Sequence, residues 1–128
     1  LTSYQVYGLK RLSAYRKKFY GVEPNSGNKS VSNTIKRQKL IQEFIYIFCE
    51  HNFADTDYTV IQNEPLEFDT MDEWIQQASI SSLLKSLTYF IWTDKIVEGY
   101  FNGRIENRTI EKILLRIEAA IREENMAV

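Results

Sequence analysis

The stretch SISSLLKSLTYFIWTDKIVEGYFNGRIENRTIEKILLRIEAAI, residues 79–121, limits the fold more than any other part of the chain. Ile80, Leu83, Leu84, Leu87, Phe90 and Ile91 fall on one face of a helix. Continuing that helix would carry Asp94 and Glu98 into the same apolar stripe. Burying unpaired carboxylates costs several kcal/mol, so the pattern predicts a break near Thr93. Beyond it, Ile96, Val97, Tyr100 and Phe101 form a new stripe in a different phase, with Asp94 as the expected N-cap and Gly103 as the stop. A last helix is predicted after Asn107, burying Ile110, Ile113, Leu114, Ile117 and Ile121, with Glu118 and Arg122 paired on its surface. No heptad persists beyond about two turns, which disfavours a coiled coil.

The rest of the chain is also helical in period. Tyr4, Gly8, Leu12, Tyr15 and Phe19 make the stripe of a helix over residues 2–20, closed by Gly21. Residues 22–32 read as a polar loop. Ser32 or Asn33 can cap a second helix over 34–52, whose stripe is Leu40, Ile41, Phe44, Ile45, Ile47 and Phe48. One or two helical turns are expected through Tyr58, Val60 and Ile61, with a short strand at 58–62 as the alternative. Thr70 and Glu73 have capping-box spacing ahead of a short helix through Trp74 and Ile75. The tail EENMAV is expected to fray. These signals predict an all-α fold over residues 1–128, a single-domain orthogonal bundle of about five to six helices with residues 79–121 as its core.

Charge is uneven. Residues 1–40 carry nine Lys or Arg against the single acid Glu23, residues 41–80 carry nine acids and no Lys or Arg, and the remainder balances. Cys49, the lone cysteine, excludes an intramolecular disulfide framework and a cysteine-rich zinc site. No apolar run reaches the roughly 18 residues needed to span a bilayer, and the N-terminal segment lacks the pattern of a signal peptide. A cytoplasmic setting is therefore expected, and Leu1 in the place of an initiator Met suggests a trimmed start.

From Ala78 to Glu118 the order of signals resembles a small, uncharacterised family of bacterial all-helical domains of unknown function. The resemblance rests on Leu87, Thr88 and Ile91 as L-T-x-x-I, then Asp94, Lys95 and Ile96, then Glu98 and Gly99, then Leu114, Arg116 and Ile117 as L-x-R-I. Phe53–Tyr58 is similar to the family's aromatic–acidic turn. The likeness covers about the last 75 residues. It implies a helical fold and a bacterial or mobile-element setting, and it brings no activity.

Several chemistries can be weighed on the residues themselves. Cys49 and His51 lie at i,i+2, about 200° apart on a helix, too far round to act as a nucleophile and base. Asp55 and Asp57 lack the glycine and glutamate spacing of a calcium loop, and capping explains them better. Asp94 with Glu98 is a candidate acid cluster, read first as a cap and a helix-dipole partner. NSGNKS lacks the spacing of a phosphate-binding loop. Lys10, Arg11, Lys17 and Lys18, with Tyr7 beside them, form a candidate phosphate-binding face that Lys36, Arg37 and Lys39 would extend. Against it stand a pI of about 5.9 and the acidic segment 41–80, on which this face could dock within the fold or across a homodimer. Tyr89 and Trp92, off the buried stripe, and Trp74 are the candidate partner-binding residues. No catalytic residue, metal or cofactor is assigned. The leading expectation is a non-enzymatic protein-interaction or regulatory module, with an unknown protein or a second copy as partner. A nucleic-acid-associated protein is the alternative, and an enzyme with a carboxylate or metal site is third.

Overall fold

The computed structural model describes residues 2–20, 34–54 and 68–126. Six helices account for most of them: α1 (Ser3–Tyr20), α2 (Thr34–Glu50), α3 (Phe68–Gln77), α4 (Ile80–Asp94), α5 (Tyr100–Glu106) and α6 (Thr109–Met126). Among the described residues there is no strand, and the fold is all-α. The loop expected at 22–32, Gly21 and the short element at 58–62 lie outside the described residues.

A reciprocal pair of hydrogen bonds starts α1. Thr2 Oγ1 accepts from the Gln5 amide at 3.1 Å, and Gln5 Oε1 accepts from the Thr2 amide at 3.1 Å. This capping box satisfies two amides that the helix itself cannot. From there α1 packs on α2 and on α6. It is thus covered on two sides, and its buried residues include Leu9, Arg16 and Tyr20 as well as the expected Gly8, Leu12, Tyr15 and Phe19. Tyr4 leaves the stripe and is exposed, because its ring lies over His51 at the α2 end, 4.2 Å between centroids, and its hydroxyl reaches the Glu50 carbonyl.

The core is aromatic where α1, α2 and α5 meet. Phe44 of α2 is flanked by Tyr15 and Phe19 of α1 and by Phe101 of α5, with ring centroids 5.7–6.0 Å apart. Around it the apolar stripes of α4 and α6 close in as their spacing predicts: Leu83, Leu87, Phe90 and Ile91 on one, Ile110, Ile113, Leu114, Ile117 and Ile121 on the other. Ser79 caps α4 by accepting from the Ser82 amide. The buried hydroxyls of Ser86 and Thr88 bond to the carbonyls one turn back, so neither is left unsatisfied.

Four local expectations need correction. Helix α3 is already under way at Phe68, so Thr70 is an interior residue and not its N-cap. Gly103 lies inside α5, which runs on to Glu106. Glu118 does not pair with Arg122; it accepts two 3.4 Å hydrogen bonds from the buried Arg16 of α1. The fourth concerns Ile96 and Val97. They are exposed rather than buried, because no helix runs through them: α4 ends at Asp94 and α5 starts only at Tyr100. Gly99 resets the phase between them with φ of +83°, a left-handed backbone that side chains resist. Tyr100 and Phe101 then turn inward, and Ile96 and Val97 are left outside.

Candidate functional site

The α4–α5 turn, residues 95–99, is short and braced, and it exposes Ile96 and Val97 between Lys95 and Glu98. Four backbone amides tie it. The Lys95 amide donates to the Trp92 carbonyl, those of Ile96 and Val97 to Thr93, and that of Tyr100 to Val97, all at 2.8–3.2 Å. Asp94 closes the turn from the other end: its Oδ1 accepts from the Phe101 amide at 2.9 Å. Asp94 therefore does cap α5, as its position suggested, but across seven residues and with Gly99 in the N-cap place. Replacing Asp94 with Ala should lower stability by about 1 kcal/mol in urea denaturation, the usual scale for a lost cap. Asp94→Asn keeps an acceptor oxygen and should recover most of it.

On this frame sit Trp92, 39% exposed, Ile96, 87% exposed, and Val97, 52% exposed. Lys95 lays its ammonium over the Trp92 ring, 3.7 Å from the centroid. Tyr89, one turn back, is half-buried against Phe90 and Tyr100. Trp74 is half-buried on α3 and packed against the core. Glu98 is exposed within the turn. The helical face that would have set it beside Asp94 does not form, because α4 ends at Asp94.

The basic face of α1 is divided. Lys10, Lys17 and Lys18 are exposed, and Lys18 lies over the Tyr15 ring, 4.3 Å from the centroid. Arg11 is engaged instead, 3.1 Å from the Glu50 carboxylate and 2.9 Å from His51 Nε2. Tyr15 donates to Glu43 at 2.9 Å, and burial, with that bond, pushes its phenol up to about 12. Arg37 does not extend the face: it is buried, bonded to Asn102 at 3.0 Å and 3.8 Å from Glu106. The basic and acidic thirds thus meet at Arg11 and Glu50, beside a groove of about 430 Å³ lined by Arg11, Lys39, Glu43 and Tyr46. The acids from Asp55 to Glu67 lie outside the described residues.

His51 and Cys49 are separated, as their spacing requires. Cys49 is exposed and His51 is 1% exposed beneath Gly8. A guanidinium only donates, so His51 Nε2 accepts from Arg11 and the ring proton sits on Nδ1, which is buried without a partner. Among the described residues, no three His, Cys, Asp or Glu side chains are grouped to hold a metal, and no helix is long and apolar enough to cross a membrane.

The sequence pattern of a family of unknown function, DUF6508, matches residues 7–123. The chain belongs to that family. No curated protein and no solved structure matches it. The DUF6508 match runs from the second turn of α1 to the last turns of α6, well beyond the C-terminal 75 residues that carried the resemblance in sequence. Within this DUF6508 chain, sequence reasoning set Trp92 off the buried stripe, and it is exposed, but it assigned Ile96 and Val97 to an apolar stripe. The signal that could have separated them is Gly99: a glycine five residues after the break offers a left-handed residue, and hence a second change of phase.

Proposed function

We propose that this DUF6508 chain is a non-enzymatic protein-interaction module whose working surface is the α4–α5 turn. One observation carries the reading: Ile96 and Val97 stand exposed on a turn braced by Asp94 and beside an indole covered by the Lys95 ammonium. Fully burying such side chains is worth about 1.5–3 kcal/mol each, so leaving them in water forgoes that gain until a partner covers them. A turn already ordered loses little freedom on binding, which favours its use as an anchor. A cytoplasmic, bacterial setting belongs to the same proposal, supported by the free thiol of Cys49 and by the motif resemblance.

The alternative, nucleic-acid binding through α1, is supported by the exposed Lys10, Lys17 and Lys18. The engagement of Arg11 with Glu50 and the presence of Glu43 in the adjoining groove weigh against it.

Photo-crosslinking tests the main reading. Benzoylphenylalanine in place of Ile96, expressed in cells, should yield a defined polypeptide adduct that Trp92→Ala diminishes. The same group in place of the exposed Arg122 on α6 should not yield it. Equal adducts at both positions, or none at 96, would remove the proposal.

A further inference from the structure

His51, the single histidine of the chain, is enclosed where the start of α1 meets the end of α2. The Gly8 backbone lies against it, the Tyr4 and Tyr7 rings stand 4.2 Å and 5.8 Å away between centroids, and Phe53 stands at 5.9 Å. Its Nε2 accepts from Arg11 at 2.9 Å, and its Nδ1 is buried with no hydrogen-bond partner. The neutral ring suits this place, because Arg11 then has two acceptors, Nε2 and the Glu50 carboxylate at 3.1 Å. A second ring proton removes one of them. Both ring nitrogens become donors, Nε2 turns an N–H towards a guanidinium that can only donate, and two cations share one carboxylate. We propose that His51 is a proton-operated latch: neutral, it holds residues 3–11 of α1 on the end of α2, and protonated, it lets them go.

The groups around the ring set the sign. Among the described residues, α1 supplies Arg11 and the phenols of Tyr4 and Tyr7, and α2 supplies Glu50 and the exposed Cys49. Glu50 can accept from a protonated imidazole only by giving up Arg11. The Tyr4 hydroxyl is directed at the Glu50 carbonyl. Tyrosine rings attract a cation, but Arg11 already lies 5.6 Å from the Tyr7 centroid, and a ring face does not replace a lost acceptor. A free imidazole takes up its proton near about pH 6.5. Below that pH the released chain binds more protons than the latched one, so the contact is complete above it and weakens as pH falls. The release is local. Farther along α1, Tyr15 on Glu43, Phe19 against Phe44 and Arg16 on Glu118 involve no histidine and keep that half of the helix in place. Opening bares Phe53, which is buried while the latch is closed. Nothing in this depends on the α4–α5 turn.

Amide hydrogen exchange of the full chain, followed by NMR from about pH 7 to about pH 5 and corrected for the intrinsic effect of pH, tests this. Protection of the Leu9 and Lys10 amides should fall relative to that of Ile113 and Leu114 in α6. The fall should reach up to about tenfold per pH unit below about 6.5, the limit for one proton. His51→Gln offers Arg11 an acceptor and does not titrate, so in that variant the ratio should stay constant. Carboxylates titrate in both chains, and the comparison removes them. A native ratio that ignores pH, a change equal in both chains, or a loss spread evenly over α1 and α6 overturns the proposal. Should His51→Gln fail to fold, Arg11→Gln takes its place. It removes the opposing guanidinium, and its ratio should fall less steeply than the native one. A native slope in that variant overturns the latch.

Discussion

Phe44→Ala should lower the stability of this protein by about 3–5 kcal/mol, the scale of a large-to-small change in a packed core. Phe44 is fully buried, and its ring is the one that Tyr15 and Phe19 of α1 and Phe101 of α5 all approach within 6.0 Å. Removing it takes one wall from each neighbour. The rings left behind cannot close the gap without moving helix axes: Phe19 is held on α1, which is pinned to α6 through Arg16 and Glu118. For a chain of this length the loss corresponds to a fall in melting temperature of about 10–20 °C. Phe44→Leu keeps most of the volume and should lose much less. Urea denaturation of the two variants reads the difference. A loss below about 1 kcal/mol for the alanine variant would mean that the three helices do not converge on this ring.

The helices that could be read from sequence are those whose apolar stripe is unbroken. The stripes of α4 and α6 are uninterrupted at helical spacing, and every residue assigned to the α6 stripe is buried. The break after α4 was legible for a different reason, the cost of carrying Asp94 and Glu98 inward. The conformation of the turn beyond that break was not legible. A spacing rule assumes one helical phase, and the turn has none: its path is set by the left-handed Gly99 and by a carboxylate that caps an amide seven residues away. Ile96 and Val97 therefore looked like core and are surface. The first helix shows the complementary failure. Its single expected stripe missed Leu9, Tyr20 and Arg16 because α6 covers a second side of it. A buried arginine is tolerable only where a partner waits, and that partner, Glu118, is 102 positions along the chain. Tyr20 is of the same kind. Its hydroxyl donates to the Ile105 carbonyl at 2.8 Å, and burial raises its phenol well above the ordinary value. Local pattern reports one face at a time, and contacts between distant segments decide the rest.

Gly8 offers the sharpest test of how the first two helices close. Exchanging a helix-interior glycine for alanine normally stabilises by up to about 1 kcal/mol. Here the sign should reverse, with a net loss of about 1–2 kcal/mol, because overpacking a filled site costs about 1–3 kcal/mol. A methyl on Gly8 would stand 2.6 Å from His51 Nδ1 and 2.9 Å from its Cβ, with Cγ closer still. The imidazole has nowhere to retreat. Tyr4 covers it at 4.2 Å between centroids, Phe53 stacks on it at 5.9 Å, and Arg11 fixes its Nε2. His51→Ala by itself should be destabilising, since it empties this space and takes from Arg11 an acceptor that Glu50 only partly replaces. In that background the clash is gone, and adding Gly8→Ala should then become neutral or stabilising by up to about 1 kcal/mol. A double-mutant cycle in urea measures the change of sign directly. If Gly8→Ala proved equally harmful with and without the imidazole, the close packing of His51 on the α1 backbone would not be the reason this position holds glycine.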